Sequence, residues 1–394
     1  MPLNTSAPAR YTNVDAPYTS GSTWLEKEQR GNRRSKFIVI GSLLALVIIG
    51  VGVGVGVSLT KKHSSSGSSG SSSSVVNQTD SSDPSTFVKD DRLKQSFWGI
   101  AYTPTNSLYP DCGNSLSDII TDIQLMSQLT TRLRLYGADC NQSALVLEAI
   151  KQTKVNMTVW LGNYPDATDP APYVRQRDAI IDAIQTYGTD HISGITVGNE
   201  FILNYLGSNG GTSANDAVGN AGADLLIANI TDTRSAVAAL GVSIPIGNSD
   251  AGSYINNKVL AEVDYGMANI HAWFADIGPA AGAGWVWDFF QETNIAQAKA
   301  LSNNPTMYVA ETGWPSAGND TATSNNGAAD ASAANLQVFM DNYVCQANTN
   351  GTGYFFFEFK DEEWKDKQYG GVEGHWGLFY SNKTLKDITI PSCS

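Results

Sequence analysis

The sequence predicts an α/β fold, a (β/α)8 TIM barrel over residues 96–394, preceded by a single transmembrane helix and a disordered Ser-rich stalk. Three observations predict this arrangement. One uncharged run near the N-terminus is long enough to cross a bilayer. The stretch after it is mostly serine and has little apolar surface to bury. Beyond residue 96, short apolar segments alternate with longer amphipathic segments, which is typical of repeated βα units.

The N-terminal part divides into a cytosolic tail at 1–36, a transmembrane signal anchor at 37–59 and a stalk at 60–95. The 23 uncharged residues of 37–59 would form a helix about 34 Å long, against a hydrocarbon core of about 30 Å. A cleaved signal peptide is the alternative, but its apolar region is shorter, and a 36-residue polar preamble fits it poorly. We therefore predict an anchor.

Basic residues flank the anchor unequally. Four precede it and two follow it, namely Arg30, Arg33, Arg34 and Lys36 before it and Lys61 and Lys62 after it. Because the larger basic cluster stays in the cytosol, we predict a single-pass type II protein of the cell membrane with its C-terminal domain outside. Glycines at small-xxx-small spacing would allow weak dimerisation of the anchor, although glycine is common in membrane helices in general. They are Gly50, Gly52, Gly54 and Gly56.

The formal net charge of −13 is distributed unevenly. Residues 1–36 carry six Lys/Arg against three Asp/Glu, whereas residues 96–394 carry 14 against 31. A domain with this acidic excess repels phosphate backbones, so we expect no nucleic-acid partner. The four Cys and four His lack the spacing of a zinc module, so we predict no metal site.

Seven Asn-X-Ser/Thr sequences follow the anchor and are candidate N-glycosylation sites, although a chain this rich in Asn and Thr supplies several by chance. They are Asn77, Asn141, Asn156, Asn229, Asn319, Asn350 and Asn382. All four cysteines lie on the same side of the anchor, where disulfides persist.

Eight strands are predicted in the C-terminal part. They are 97–103, 132–137, 157–162, 194–200, 243–248, 267–274, 306–314 and 353–359. Amphipathic helical patterns lie between them, for example at 116–129 and 334–344. Eight βα units over about 300 residues match a (β/α)8 barrel. A doubly wound open sheet is the alternative, but no glycine-rich phosphate-binding sequence follows the first strand.

Two glutamates end predicted strands. Glu200 follows Gly198-Asn199 at the end of strand four, and strand seven ends in Glu311-Thr312-Gly313-Trp314. A single glutamate there would be interpreted as a solvated carboxylate. A pair at the catalytic end of a barrel instead indicates glycosidic chemistry, where one carboxyl group protonates the leaving oxygen and the other stabilises the oxocarbenium-like centre. Their environments must separate the two pKa values.

Seven sequence strings in this order resemble glycoside hydrolase family 17, the β-1,3-glucanases. They are WGIAYTP (98–104), RLYGADCNQ (134–142), VGNE (197–200), NIHAWF (269–274), ETGWPS (311–316), FFFE (355–358) and HWGLF (375–379). The resemblance covers residues 97–380, and the anchor with its stalk is similar in layout to the fungal membrane-anchored type II endo-β-1,3-glucanases. It implies Glu200 as acid/base and Glu311 as nucleophile of a retaining enzyme.

The resemblance also implies residues around the two glutamates. Asn199 should contact the sugar 2-hydroxyl, while Arg134 and Tyr136 should border the nucleophile. His271 falls where related enzymes place a tyrosine that hydrogen-bonds the nucleophile, and a structural histidine of the barrel wall is the alternative. Aromatic rings at strand ends are candidate sugar platforms, and three acid-base residues of strand eight occupy family site positions. The candidate platforms are Tyr102, Trp273 and Trp314. The acid-base residues at family site positions are Glu358, Glu362 and Lys365.

Strand eight departs from the family pattern where Lys360 and Glu363 replace its usual residues. We expect this departure to affect subsite specificity more than the chemistry. Of the three possible cysteine pairings, we favour one. Cys112 and Cys140 follow neighbouring strands of the predicted barrel and would pair with each other. Cys345 in the last long helix would then pair with Cys393 in the tail.

The predicted function is a retaining glycosidase of the glucan endo-1,3-β-D-glucosidase type. It would cleave β-1,3-glucan of the fungal cell wall by double displacement, without a cofactor. A β-1,3-glucanosyltransferase with the same two glutamates is the first alternative. A non-catalytic wall-binding module on a stalk is the second, although binding alone requires neither glutamate.

Overall fold

The structure is a computed structural model, and it describes residues 76–80 and 82–393. The predicted cytosolic tail, the anchor at 37–59 with its glycines, and the stalk up to residue 75 lie outside the described residues. Within the part that is described, no helix has both the length and the apolar character needed to cross a bilayer.

The last part of the predicted stalk is folded, which corrects the boundary at residue 95. Val76 and Leu93 are buried, and Gln78 forms a β-bridge with Phe87. The Gln124 side chain donates to the carbonyl of Pro84 over 2.8 Å. These apolar side chains bind the segment to the barrel because they supply the buried surface that the serine-rich sequence before them lacks.

Eight parallel strands close into a barrel, which confirms the predicted fold. They are β1 (Gly99–Ala101), β2 (Arg132–Arg134), β3 (Thr158–Asn163), β4 (Ile192–Asn199), β5 (Ile246–Ala251), β6 (Tyr265–Asn269), β7 (Thr306–Thr312) and β8 (Tyr354–Phe356). Each strand pairs with the next along the chain, and β8 pairs with β1. A short antiparallel hairpin, Asn325–Asn326 with Ala329–Asp330, lies in the loop after β7.

Most strand boundaries differ from the prediction, and three of the differences affect the interpretation of the site. Strand five lies three residues later than predicted, strand six ends at Asn269 instead of 274, and strand eight covers only Tyr354–Phe356. Apolar residues outside the ladder extended predicted strands six and eight, because burial in loops produces the same sequence pattern as burial in strands. Strand five instead continues into the polar residues Ser249 and Asp250.

Helices surround the barrel. They are α1 (Leu116–Met126), α2 (Gln142–Thr153), α3 (Ala171–Tyr187), α4 (Phe201–Asn209), α5 (Ala217–Ala239), α6 (Asn257–Ala261), α7 (Pro279–Phe289), α8 (Ala296–Lys299), α9 (Ala333–Thr349) and α10 (Glu363–Tyr369). Side-chain caps begin four of them: Ser115, Asp216, Asn256 and Ser332 each accept a backbone N–H of the first turn. Between α7 and α8, Phe290–Ile295 is a π-helix.

Aromatic rings fill the N-terminal end of the barrel. Trp98 lies 5.6 Å from Trp160, 5.4 Å from Tyr308 and 5.3 Å from Phe355, measured between ring centroids. The Arg132 guanidinium lies 4.6 Å from the Trp98 centroid. The contact of Trp98 with Phe355 is edge-to-face, and such a pair adds about 0.5–1.5 kcal/mol beyond burial. This end is therefore a packed core, which leaves the opposite end for chemistry.

Both predicted disulfides are present. Cys112 is bonded to Cys140 with Cα atoms 4.9 Å apart, and Cys345 to Cys393 with Cα atoms 5.2 Å apart. The first bond joins the loop after β1 to the turn after β2. The second fastens the C-terminal tail to α9.

Candidate active site

The two predicted glutamates lie at the C-terminal end of the barrel. Glu311 is the sixth residue of β7 and is 6% exposed. Glu200 follows β4 directly, occupies the N-cap of α4 and is half-buried. The strands thus bring both carboxyl groups to the end where barrel enzymes carry their chemistry.

Glu311 is held by two cationic or donor side chains. Arg134 Nη1 lies 2.9 Å from Glu311 Oε1, and His271 Nε2 donates to Oε2 over 3.3 Å. Burial by itself raises the pKa of Glu311, but the hydrogen bond from His271 and the charge of Arg134 outweigh it and hold the pKa at about 2. Glu311 is therefore an ionised carboxylate at neutral pH.

Glu200 has the opposite electrostatics. Burial, followed by the negative charge of Glu311, raises the pKa of Glu200 to about 7. Asn269 Nδ2 donates to Glu200 Oε1 over 3.1 Å and partly offsets this rise. Glu200 therefore keeps its proton in mildly acidic solution while Glu311 has lost its own. Two carboxyl groups with pKa values separated in this way can act as proton donor and nucleophile.

Arg134 organises the polar side chains between the glutamates. It is 1% exposed, and its Nη2 donates to Asn199 Oδ1 over 2.7 Å and to Ser249 Oγ over 3.0 Å. Its guanidinium lies 4.3 Å from the ring centroid of Tyr136. Burial and the charge of Glu311 raise the pKa of Tyr136 well above its ordinary value, so this hydroxyl stays neutral.

Asn199 is oriented by its neighbours. Its Oδ1 accepts from Arg134 and, over 3.3 Å, from Asn269 Nδ2. Because the carbonyl oxygen is turned toward these donors, the amide nitrogen of Asn199 is the group presented for a further contact. This orientation suits donation to a hydroxyl oxygen of a sugar.

The sequence prediction missed Asn269 and Ser249, which end β6 and lie in β5. Ser249 Oγ donates to Asn269 Oδ1 over 3.2 Å, so the two connect Arg134 to Glu200. Both residues were inside or just beyond predicted strands whose ends were misplaced. Correct strand ends would have identified them, because polar residues at the C-terminal ends of barrel strands face the site.

His271 is packed among aromatic rings beyond the end of β6. Its ring centroid lies 4.8 Å from Trp376 and 5.4 Å from Phe357. Trp273 is buried, which is contrary to the prediction of a sugar platform. Its neighbour Phe274, 5.1 Å away, is 47% exposed instead.

The predictions for Tyr102 and Trp314 as sugar platforms were also wrong, because both rings are fully buried. The Tyr102 hydroxyl donates to Asp122 Oδ2 over 2.7 Å, and Trp314 Nε1 donates to the carbonyl of Asp330 over 2.9 Å. Trp314 packs 5.7 Å from Phe339 of α9. Both are core residues below the rim.

Glu358, Glu362 and Lys365 form one cluster, in which both glutamates are buried and Lys365 is half-buried. Lys365 Nζ lies 2.8 Å from Glu358 Oε2 and 3.1 Å from Glu362 Oε1. Burial and the charge of Glu362 raise the pKa of Glu358, while Lys365 helps to lower that of Glu362. A proton is therefore held more tightly by Glu358 than by Glu362, and Lys365 lies between the two carboxyl groups.

The two departures in strand eight point away from this cluster. Lys360 is buried and pairs with Asp122 at 3.1 Å. Glu363 is exposed in the first turn of α10, where it accepts from Ser381 over 3.1 Å. The substitutions therefore alter packing behind the site and the outer surface of α10.

The candidate glycosylation sites are largely accessible. Six of the seven asparagines are exposed, and Asn229 in α5 is half-buried. Their modification stays a prediction.

A protonated and an ionised carboxyl group at the ends of β4 and β7 of a (β/α)8 barrel define the glycoside hydrolase class of site. Comparison with known proteins agrees. The family model described as the BtgE/BtgC glycoside hydrolase domain matches residues 99–377, and the chain belongs to this family.

Curated relatives are glucanases by name. A glucan endo-1,3-β-glucosidase, BtgC, of Emericella nidulans is 33% identical over 415 residues, which are 98% of this chain and 62% of the relative. A probable glucan endo-1,3-β-glucosidase, BtgC, of Aspergillus flavus is 32% identical over 397 residues, with 94% and 56% coverage. The chain therefore spans little more than half the length of these relatives.

Solved structures share the fold. A β-1,3-glucanosyltransferase of Rhizomucor miehei, an active-site mutant in complex with laminaritriose, matches with a TM-score of 0.61 at 23% identity, over 76% of this chain and 99% of that chain. An endo-laminarinase from Formosa matches with a TM-score of 0.58 at 18% identity, over 74% of this chain and 85% of that chain. At these identities the likeness supports the fold alone.

Proposed function

We propose that this chain is a retaining glycosidase that cleaves β-1,3-glucan of the fungal cell wall. The single observation that carries the proposal is the opposite shift of two pKa values, up to about 7 at Glu200 and down to about 2 at Glu311. The names of the curated relatives support the substrate, and no cofactor is required for this chemistry.

In the first step, ionised Glu311 attacks the anomeric carbon while Glu200 gives its proton to the departing glycosidic oxygen. The bond to the leaving sugar breaks, and a glycosyl ester forms on Glu311. In the second step, the Glu200 carboxylate takes a proton from water, which attacks the same carbon and releases Glu311. Two inversions leave the β configuration unchanged.

The surrounding groups support both steps. Arg134 and His271 keep Glu311 charged before attack, and they stabilise it as a leaving group in the second step. Asn199 donates to the 2-hydroxyl of the sugar, a contact that strengthens as the ring flattens toward the transition state. Glu358, Glu362 and Lys365 supply polar contacts from the strand-eight side.

Azide products separate the two roles. Glu311→Ala removes the nucleophile, so hydrolysis of laminarin should fall by several powers of ten, and azide should give an α-configured adduct. Glu200→Ala leaves the nucleophile, so a dinitrophenyl glycoside should still form the glycosyl-enzyme, and azide should resolve it to a β-configured adduct. Identical configurations from the two variants would contradict the assignment.

A glucanosyltransferase would use the same first step and replace water by a sugar hydroxyl. The Rhizomucor miehei structure bears that name, and its fold is shared. Time-resolved chain lengths of laminari-oligosaccharide products distinguish the two, since transfer produces chains longer than the substrate. A wall-binding module without activity would leave every chain length unchanged.

We further propose that the catalytic domain faces the cell wall on a single-pass type II anchor at 37–59. The basic excess before the anchor and the seven candidate sequons after it support this orientation. Protease added to intact cells should release an active glycosylated fragment, and a barrel protected from protease would contradict the orientation.

Cross-linking of the membrane-bound chain, with and without Gly50→Leu and Gly54→Leu, tests weak dimerisation.

A further inference from the structure

Glu200 has an unusual backbone. Its φ of 53° lies in the left-handed region, which is strained for a non-glycine residue and persists only when neighbouring structure enforces it. Gly198, two residues earlier, has a φ of 90°. The chain therefore turns sharply from β4 into α4, and this turn aims the Glu200 side chain at the site.

Helix α4 begins without a cap of its own. Glu200 occupies the N-cap, and its side chain makes no capping hydrogen bond because it is directed toward Asn269 and the site. The first amides of a helix need acceptors from elsewhere, since no preceding turn supplies them. A buried helix end with these amides unpaired would not hold its position.

Asp250 of the neighbouring strand β5 supplies the acceptors. Its Oδ2 accepts the backbone N–H of Ile202 over 2.8 Å, and its Oδ1 accepts that of Leu203 over 3.4 Å and that of Ala251 over 2.9 Å. Asp250 is fully buried. One carboxylate thus ties the first turn of α4 to the end of β5.

The residue before Asp250 completes the attachment. The carbonyl of Ser249 accepts the backbone N–H of Glu200 over 3.2 Å. The Glu200 carboxyl group is held separately by Asn269, at 3.1 Å. β5 therefore fixes the backbone of Glu200, and β6 fixes its carboxyl group.

We propose that Asp250 is a positioning residue for proton transfer, which caps α4 from the next strand and thereby keeps the Glu200 carboxyl group at the departing oxygen. The proposal rests on the proposed function, in which Glu200 is the acid/base. Asp250 contacts no substrate and acts through the turn that carries Glu200. A misplacement of about 1 Å in such a group can reduce the rate about 100-fold.

The test compares two leaving groups in the first chemical step, measured as kcat/KM. When a laminari-oligosaccharide is cleaved, the leaving group is a sugar whose oxygen needs a proton from the acid. Dinitrophenolate is a stable anion and leaves without a proton. For Asp250→Ala we expect kcat/KM to fall about 100-fold on laminari-oligosaccharides and less than about threefold on dinitrophenyl β-laminaritrioside. A burst of dinitrophenolate should appear, and azide should raise kcat, because the second step also needs Glu200.

Asp250→Asn is the second variant and guards against misfolding. It keeps one acceptor oxygen in a side chain of the same shape, so it should fold and show the same selective loss to a smaller degree. Asp216→Ala is the matched control, because Asp216 caps α5 by accepting from Gly219 over 2.8 Å and lies outside the site. Asp216→Ala should lower stability without changing the ratio of the two kcat/KM values.

Equal losses on both substrates in Asp250→Asn would show that Asp250 acts only on stability, and no loss on either substrate in Asp250→Ala would show that the cap is dispensable. Either result overturns the proposal. The two kcat/KM values of Glu200→Ala, measured in parallel, distinguish failure of this proposal from failure of the proposed function. If Glu200→Ala shows the selective loss and Asp250→Asn does not, only the positioning role fails.

Discussion

At the scale of single residues, the pKa values of Glu200 and Glu311 set the range of activity. Glu311 must be ionised to attack, so activity should disappear as the pH falls toward its pKa of about 2. Glu200 must be protonated to donate, so activity should disappear as the pH rises through its pKa of about 7. The profile of kcat/KM should therefore be bell-shaped, with an alkaline limb near 7.

Asn269→Ala should move the alkaline limb to higher pH. The hydrogen bond from Asn269 lowers the pKa of Glu200, so its loss lets burial and the charge of Glu311 raise that pKa further. The measurement is kcat/KM against pH for both proteins. Asn303→Ala is the control, since Asn303 donates to the carbonyls of Leu260 in α6 and of Val263 just after it, and to neither glutamate. An unchanged or lowered alkaline limb in Asn269→Ala would contradict the assignment of that limb to Glu200.

Trp314→Ala should lower the free energy of unfolding of the barrel and leave substrate binding unchanged. The ring is fully buried against Phe339, and removing a buried aromatic ring costs about 3–5 kcal/mol. Urea denaturation measures the loss, and KM for laminarin at a temperature where the variant is folded should stay within about twofold. A large rise in KM with unchanged stability would restore the platform interpretation.

At the scale of elements, the ends of β2 and β3 are packed backbone against backbone. A Cβ on Gly162 in β3 would overlap the carbonyl carbon of Tyr136, and neither main chain can move without shifting the site. Gly284 in α7 is the opposite case, because no described neighbour lies within 4 Å of its Cβ position. The two glycines form a matched pair on one fold.

Gly162→Ala should destabilise the protein by about 1–3 kcal/mol through overpacking. Gly284→Ala should stabilise it by about 0.5–1 kcal/mol, because alanine loses less backbone entropy in a helix. Denaturant midpoints of the two variants give the comparison. Equal effects of the same sign would mean that the close approach of β2 and β3 is not a constraint.

The cluster of Glu358, Glu362 and Lys365 lies just after β8, and its three residues are predictable from the sequence without their geometry. The family positions identified all three residues, and the structure brings them together at 2.8 and 3.1 Å. Which of the two glutamates holds a proton more tightly was not predictable, because both are buried and the difference depends on the positions of Lys365 and Lys360.

At the scale of the whole molecule, two disulfides fasten the barrel. The bond from Cys345 to Cys393 spans 48 residues and that from Cys112 to Cys140 spans 28. In the chain-entropy model these loops correspond to about 4 and about 3.5 kcal/mol.

Replacing both Cys345 and Cys393 by Ser should therefore lower the free energy of unfolding by about 4 kcal/mol, slightly more than replacing Cys112 and Cys140. Urea denaturation of the two double variants under oxidising conditions measures this order. The reverse order, by more than about 1 kcal/mol, would show that native packing around the bonds matters more than loop length.

The alternation of apolar segments determined the eight-stranded barrel, because strand and helix periodicities are local properties of the sequence. The ends of strands were less predictable: apolar loop residues extended strand six past Asn269, and this concealed the residue that holds Glu200. Folding of residues 82–95 onto the barrel was likewise missed, since a few apolar side chains in a polar segment are a weak signal.

The sequence by itself determined the fold class, the two glutamates at the rim and the cysteine pairs, since each follows from local patterns placed on a known topology. The tertiary structure alone decided which groups separate the two pKa values, which aromatic ring is exposed and what holds the turn at Glu200. Arg134, His271, Asn269 and Asp250 come from β2, β5 and the end of β6. Burial and electrostatics sum over such distant segments, and only the closed barrel brings them within hydrogen-bonding distance.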